Sequence, residues 1–257
     1  MSRIQELFQR KKQNILNVYC TAGFPALNST LPVMKALQQS GADMIELGMP
    51  YSDPLADGPV IQASSTVALA NGMTIATLFQ QLKNFRKEIQ LPILLMGYMN
   101  PVLQYGFEKF CQDAAAAGID GLILPDLPMF EYEKEYGPLI GKYQLDFVFL
   151  VTPETSAERI RKLDTLSTGF LYAVSSSSTT GKNKDLTEQA AYFDRLKAMN
   201  LNNPVLIGFG IRDKESFSKA CAYANGAIIG TAYIKALDGA GPEEIVSRTK
   251  FFLNTLT

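Results

Sequence analysis

The chain has 257 residues, with 24 basic against 25 acidic side chains, 47% hydrophobic and 19% charged residues, and no His or Trp. It is too apolar for a disordered chain, and a net charge of -1 offers no electrostatic footprint for nucleic acid or an anionic membrane. Without His there is no Ser-His-Asp triad, no Cys-His pair and no His-ligated metal, so a general acid or base must be Asp, Glu, Lys, Tyr or Cys.

Residues 1–12 alternate charge with Ile4, Leu7 and Phe8. That pattern predicts a short amphipathic helix, not a signal peptide. Short apolar runs then recur, with strands expected over 15–20, 44–47, 93–97, 121–124, 147–151, 170–174, 205–208 and 227–229. Helical patterns lie between them over 31–39, 60–70, 74–88, 107–117, 131–142, 157–163, 187–199, 214–224 and 243–256. Eight strand–helix units of about 32 residues are the size of a βαβ step. Runs such as Ile93-Leu94-Leu95-Met96 lack period-2 alternation, as parallel strands covered on both faces do. Eight such units favour closure into a (β/α)8 TIM barrel with an extra N-terminal helix over an open doubly wound sheet. No linker or shift of composition marks a boundary, so a single domain over 1–257 is expected. The scattered Cys20, Cys111 and Cys221 form no CxxC. Their odd number points to a reducing, cytoplasmic setting. No run approaches the ~18 apolar residues of a membrane span.

In such a barrel the chemistry sits at the C-terminal ends of the strands and in the loops that follow. Glu46 lies in the apolar run Met44-Ile45-Glu46-Leu47-Gly48, where burial favours the neutral acid. A buried Glu paired with a cation is the plainer alternative. Asp53 and Asp57 sit in a loop stiffened by Pro50, Pro54 and Pro59, where Asp also serves as a turn former or an N-cap. Two carboxyls in unlike surroundings, such as Glu46 and Asp57, divide acid and base roles, a pattern shared with glycosidases. The glycines Gly208, Gly210 and Gly230, with Thr231, end the seventh and eighth strands, the usual phosphate cradle of this fold. Residues 175–184 are a polar stretch after the sixth strand, either an active-site lid or a solvated connector. Tyr172, near the end of that strand, brings a phenol to the mouth or serves as a core aromatic.

These residues together resemble the tryptophan synthase alpha chain family over essentially the whole chain. The most specific segment is Glu46-Leu47-Gly48-Met49-Pro50-Tyr51-Ser52-Asp53-Pro54-Leu55-Ala56-Asp57-Gly58-Pro59. Thr21-Ala22-Gly23-Phe24-Pro25, Met99-Asn100-Pro101, Pro125-Asp126-Leu127-Pro128, Gly208-Phe209-Gly210-Ile211 and Gly230-Thr231-Ala232 extend it. The resemblance implies reversible retro-aldol cleavage of indole-3-glycerol phosphate to indole and glyceraldehyde 3-phosphate. It implies Glu46 as proton donor and Asp57 as an ionised partner of the indole N–H. Tyr19 and Met96 would line the indole pocket, with Tyr172 beside the reacting side chain. Gly210, Gly230 and Thr231, with Gly208, would hold the phosphate, and Thr180 would close the lid onto Asp57. It further implies a pyridoxal-phosphate-dependent beta chain in an α2β2 assembly, with no cofactor in the alpha chain itself. Loops carrying Asp53, Pro54, Asn100, Asp126 and Pro128 would face that partner, with Met99 and Leu103 as apolar anchors. The chain departs from the family pattern at Ser176, where Arg is common, at Ser178, where Gly is common, and at Tyr19, where Phe is more usual. A free-standing indole-3-glycerol phosphate lyase and a non-catalytic activating subunit are the two rival readings.

Overall fold

The computed structural model describes residues 1–174, 189–208 and 210–256. In chain order it contains α1 (Arg3–Arg10), β1 (Ile15–Thr21), α2 (Thr30–Gln39), β2 (Met44–Gly48), α3 (Pro59–Ala70), α4 (Ile75–Gln81) and β3 (Ile93–Met96). Next come α5 (Met99–Tyr105), α6 (Phe107–Ala117), β4 (Gly121–Ile123), α7 (Met129–Glu131), α8 (Gly137–Lys142), β5 (Asp146–Phe147) and β6 (Phe149–Val151). The remainder is α9 (Ala157–Leu166), β7 (Leu171–Val174), α10 (Ala190–Ala198), β8 (Val205–Gly208), α11 (Lys214–Tyr223), β9 (Gly226–Ile229), α12 (Thr231–Leu237) and α13 (Ile245–Asn254).

All strand pairs are parallel, in the order β5-β4-β3-β2-β1-β9-β8-β7-β6. The two edges of that sheet are one stretch of chain. The run expected as a single fifth strand over 147–151 divides at Val148, whose N–H donates to Leu122 O on the β4 side at 3.1 Å. Phe149 then pairs with Leu171 of β7. Passing from one neighbour to the other, this strand closes the expected (β/α)8 barrel and removes its edges.

Alternation along each strand sorts side chains into two layers. Ile15, Met44, Leu94, Ile123, Val148, Phe170, Leu206 and Ile228 fill the barrel interior, and Ile4, Leu7 and Phe8 of α1 pack onto the same cluster. The expected N-terminal helix is therefore a plug for the barrel's N-terminal end. It starts at a capping box in which Ser2 and Gln5 satisfy each other's backbone N–H groups,. The alternate residues, such as Val18, Ile45, Leu95 and Ile207, join the larger core beneath the helices. Covering both faces is why every residue of β1 and β2 is buried and why these strands read as continuous apolar runs.

Several boundaries differ from the sequence expectation. The helix expected over 74–88 stops at Gln81, because Asn84 takes φ 69° and the chain tightens into a 3-10 turn at Phe85–Lys87. Asn tolerates that left-handed conformation better than most residues. α9 continues to Leu166, beyond the expected end at 163. Residues 187–188 of the expected helix over 187–199 lie outside the described residues; α10 begins at Ala190. The segment at Met99-Asn100-Pro101, expected as a loop, is the first turn of α5, where proline is tolerated because its missing N–H has no intrahelical partner. α12, directly after β9, also escaped the periodicity reading, since seven residues are too few to display it.

Candidate active site

Glu46 is the one charged side chain in the otherwise apolar β2. It is fully buried on β2, paired in register with Tyr19 of β1 and Leu94 of β3. Among the described residues no cation forms a salt bridge with it. Its Oε1 accepts a hydrogen bond from Asn17 Nδ2 at 2.6 Å, and its Oε2 has no partner among the described residues. Burial pushes its carboxyl up from 4.5 to about 8, while the Asn17 bond pulls in the opposite direction,. At neutral pH Glu46 is mostly the protonated acid, as its strand environment led one to expect.

Asp57 lies in the loop between β2 and α3. The loop is tied down by turn hydrogen bonds from Leu55 N to Asp53 O and from Asp57 N to Pro54 O, at 2.9 and 3.0 Å. Gln62 Nε2 donates to Asp57 O at 2.9 Å. Asp57 is not the N-cap of α3, a position held by Gly58. The expectation of an ionised group in a polar loop needs correction in degree. Burial raises the Asp57 carboxyl to about 6, although a hydrogen bond from the Tyr98 hydroxyl favours its charged form. It is still ionised roughly ten to one at pH 7.

Tyr98 was not singled out from the sequence. Its hydroxyl accepts from Ala56 N at 3.1 Å, its ring lies 5.4 Å from that of Tyr51, and Asn100 Nδ2 donates to Tyr51 Oη at 2.9 Å. These contacts lock the Asp57 loop against the end of β3. A Tyr three residues before a Pro gives no signal of this; only the adjacency of β2 and β3 creates it.

Tyr19, Asp57 and Met96 line one small cleft with Met49, Gly97, Tyr98 and Pro125. Tyr19 and Tyr172 are both buried and both feel the charges of Glu46 and Asp57, which with burial push their phenols well up. They are neutral at any physiological pH. The Tyr19 hydroxyl accepts from Thr21 Oγ1 at 3.4 Å, and Thr21 Oγ1 lies 2.7 Å from Ser64 Oγ. A Cβ at Gly48 would collide with the Tyr19 hydroxyl, and one at Gly208 with the Tyr172 hydroxyl. Those two glycines make room for the phenols, a packing role for Gly208 that strand-end composition does not reveal.

Gly208 closes β8, Gly210 follows with φ 77°, and Gly230 precedes Thr231 at the start of α12. Gly210 and Thr231 are exposed at the mouth. Thr180, Ser176 and Ser178 lie outside the described residues. Among the residues expected to face a partner, Asp53, Asn100, Asp126 and Pro128 are exposed, and Pro54 is buried. Asp126 accepts from Met99 N through both carboxylate oxygens at 3.0 Å, which caps α5. Met99 is 8% exposed and is no surface anchor, because that capped first turn draws it inward; Leu103 is 47% exposed. No group of three His, Cys, Asp or Glu side chains suited to a metal ion lies among the described residues, and no helix among them is long and apolar enough to cross a membrane. All three cysteines are free and buried.

A closed (β/α)8 barrel carrying a buried carboxyl and a second, half-buried one at the strand ends has the build of a barrel enzyme suited to acid–base chemistry. Residues 5–256 match the family model for the tryptophan synthase alpha chain. The tryptophan synthase alpha chain of Parabacteroides distasonis is 52% identical, with 96% of this chain and 97% of that protein covered. The crystal structure of the tryptophan synthase alpha subunit from Legionella pneumophila superposes with a TM-score of 0.89 at 34% identity, covering 100% of this chain and 97% of that one. The A-subunit from Pyrococcus furiosus gives 0.84 at 36% identity, over 96% and 98% of the two chains. The chain belongs to the tryptophan synthase alpha chain family. It is a lyase of the alpha reaction, cleaving indole-3-glycerol phosphate reversibly to indole and glyceraldehyde 3-phosphate, with a beta chain as the partner that takes the indole on to tryptophan.

Proposed function

We propose that Glu46 and Asp57 carry the alpha reaction by dividing the proton work between them. Glu46 delivers its proton to indole C3, which makes a cationic indolenine. Asp57, ionised, accepts the indole N–H and stabilises the positive charge. The bond between C3 and the side chain then breaks, its electron pair returns to the indole ring, and the adjacent hydroxyl gives its proton to the Glu46 carboxylate as the aldehyde forms. Glu46 ends protonated, ready for another cycle. The observation that carries this reading is the fully buried Glu46 carboxyl, held at about 8 with one oxygen unpartnered, beside a cleft that Asp57 lines at about 6. In this reading Tyr19 and Met96 enclose the indole and Tyr172 stands beside the reacting side chain. Gly208, Gly210, Gly230 and Thr231 receive the phosphate at the N-terminus of α12, and Thr180 meets Asp57 on closure.

The chain works as one domain over 1–257 without a cofactor of its own, and pyridoxal phosphate belongs to the beta chain of a cytoplasmic α2β2 assembly. The partner-facing residues are Asp53, Pro54, Asn100 and Pro128. The deciding assay measures indole release from indole-3-glycerol phosphate, with and without the beta chain, for wild type, Glu46→Gln and Asp57→Asn. Each substitution should lower the rate by about 10²-fold or more. Wild-type rates in Glu46→Gln would remove the acid role. A large increase on adding beta chain fits the complex, whereas full activity alone fits the free-standing lyase.

A further inference from the structure

Asn17 is polar and fully buried, between Ile15 and Tyr19 on its face of β1; the strand's other buried polar residue, Thr21, lies at its C-terminal end and bonds to Ser64. It shares an interior-facing column with Ile15 and Tyr19, one layer below Tyr19, next to β2. An amide in such a place is costly unless it is bonded, and its Oδ1 has no partner among the described residues,. An aliphatic side chain would fill that layer at lower cost. The contact that sets Asn17 apart is the 2.6 Å hydrogen bond from Nδ2 to Glu46 Oε1.

We infer that Asn17 is the positioning residue of the proton donor: it holds one oxygen of the Glu46 carboxyl and so leaves the other, Oε2, to carry the proton to the substrate. The inference rests on the reading of Glu46 as the acid. The geometry suits both halves of the proton cycle. When Glu46 is neutral, Oε1 is the carbonyl oxygen and accepts the amide N–H, while Oε2 bears the proton. When Glu46 has given that proton away, the same N–H stabilises the new carboxylate without any rotation of either side chain. Preorganised donors of this kind act in a low-dielectric site without reorganising during the reaction.

Among the described residues, no other group substitutes for Asn17. Tyr19, in register with Glu46 on β1, and Tyr172 on β7 both feel its charge, as does Cys20 from the opposite face of β1; all three are neutral acids. Asp57, in the loop after β2, is the second charge felt by the two phenols. The adjoining β3 residues Leu94 and Met96 do not titrate. Of the influences on Glu46, the Asn17 bond alone favours the charged form. Without it the acid holds its proton more tightly and points it less well.

The test compares Asn17→Leu, of the same branched shape but bulkier and without a donor, and Asn17→Ser, polar but too short to reach, with Glu46→Gln, all in the presence of excess beta chain. Three readouts are taken: kcat and KM for indole release, the pH profile of kcat/KM, and the infrared titration of the Glu46 carboxyl band, assigned by its loss in Glu46→Gln. Both Asn17 variants should lose kcat by about 10- to 100-fold with KM within about threefold. The alkaline limb and the carboxyl band should both move up by about one pH unit. An unmoved band and limb, with Glu46→Gln inactive, overturns the role of Asn17 and leaves the acid reading standing. A moved band with Glu46→Gln fully active overturns the acid reading and, with it, this inference. The band is read without turnover, so a variant impaired for other reasons still gives an answer.

Discussion

At the scale of single residues, the two carboxyls set a pH window whose sign follows from their burial. In the proposed mechanism Asp57 is ionised and Glu46 protonated for the first step. The ratio kcat/KM is therefore expected to rise as pH passes through about 6, where Asp57 loses its proton, and to fall through about 8, where Glu46 does,. Initial rates across pH 5 to 9.5 check both limbs. The same burial has a cost in stability. The folded chain keeps a proton on Glu46 that the unfolded chain releases near 4.5, so between 4.5 and about 8 the folded state binds more protons and stability falls as pH rises,. Glu46→Gln removes that penalty and keeps an acceptor for Asn17. It should melt at a higher temperature than wild type at pH 8, by a margin of the order of a few kcal/mol that shrinks toward pH 5. Equal melting at both values would mean that Glu46 is not held neutral. Tyr19→Phe, by contrast, should change stability by less than about 1 kcal/mol. The bond it deletes is a long one of 3.4 Å, and Thr21 keeps Ser64 at 2.7 Å,.

At the scale of elements, α1 is held by more than its apolar face. Asp120, buried at the start of β4, accepts from Arg3 Nη1 at 2.9 Å, from Arg86 Nη2 and from Ile93 N at 2.7 Å. The Arg3 side chain is 44% exposed and that of Arg86 only 15%, so the two cations are not equal partners. Arg3→Ala should cost less than about 1 kcal/mol, as exposed pairs do. Asp120→Ala should cost about 3 kcal/mol or more, because it leaves the largely buried Arg86 guanidinium without its countercharge and the Ile93 N–H without its acceptor,. Urea denaturation of the two variants separates these cases. A similar loss in both would place the stabilising contact on α1.

At the scale of the whole molecule, three exposed apolar side chains stand out. Leu55 is 86% exposed, Leu103 47% and Phe130 65%. They lie in the loop after β2, on α5 after β3 and on α7 after β4, so three adjacent strands present them at one side of the barrel mouth. Scattered exposed leucines mean little, but apolar groups beside Asp53, Asn100 and Pro128 extend the face proposed above for the beta chain. Phe130→Asp is expected to weaken activation by the beta chain by about tenfold or more in its titration midpoint, while indole release by the chain alone stays unchanged. An unchanged midpoint would place the partner elsewhere on the molecule.

Local pattern was enough for the barrel, its extra N-terminal helix and the suspicion attached to Glu46, because strand and helix periods, strand count and a charge in an apolar run are all properties of neighbouring residues. Asp57 was legible for the same reason, through the prolines around it. The tertiary structure decided what depends on residues far apart in the chain. It alone puts Asn17 against Glu46, Tyr98 against Asp57 and Gly208 under Tyr172, since each pair meets only where neighbouring strands align. Closure at Val148 is likewise invisible in a run that reads as one strand, because which neighbour a backbone N–H bonds is set by the sheet and not by the side chain that carries it. Burial completes the division. A sequence names the two carboxyls, but only the packed interior moves Glu46 to about 8 and Asp57 to about 6, because desolvation is a property of everything that surrounds a charge.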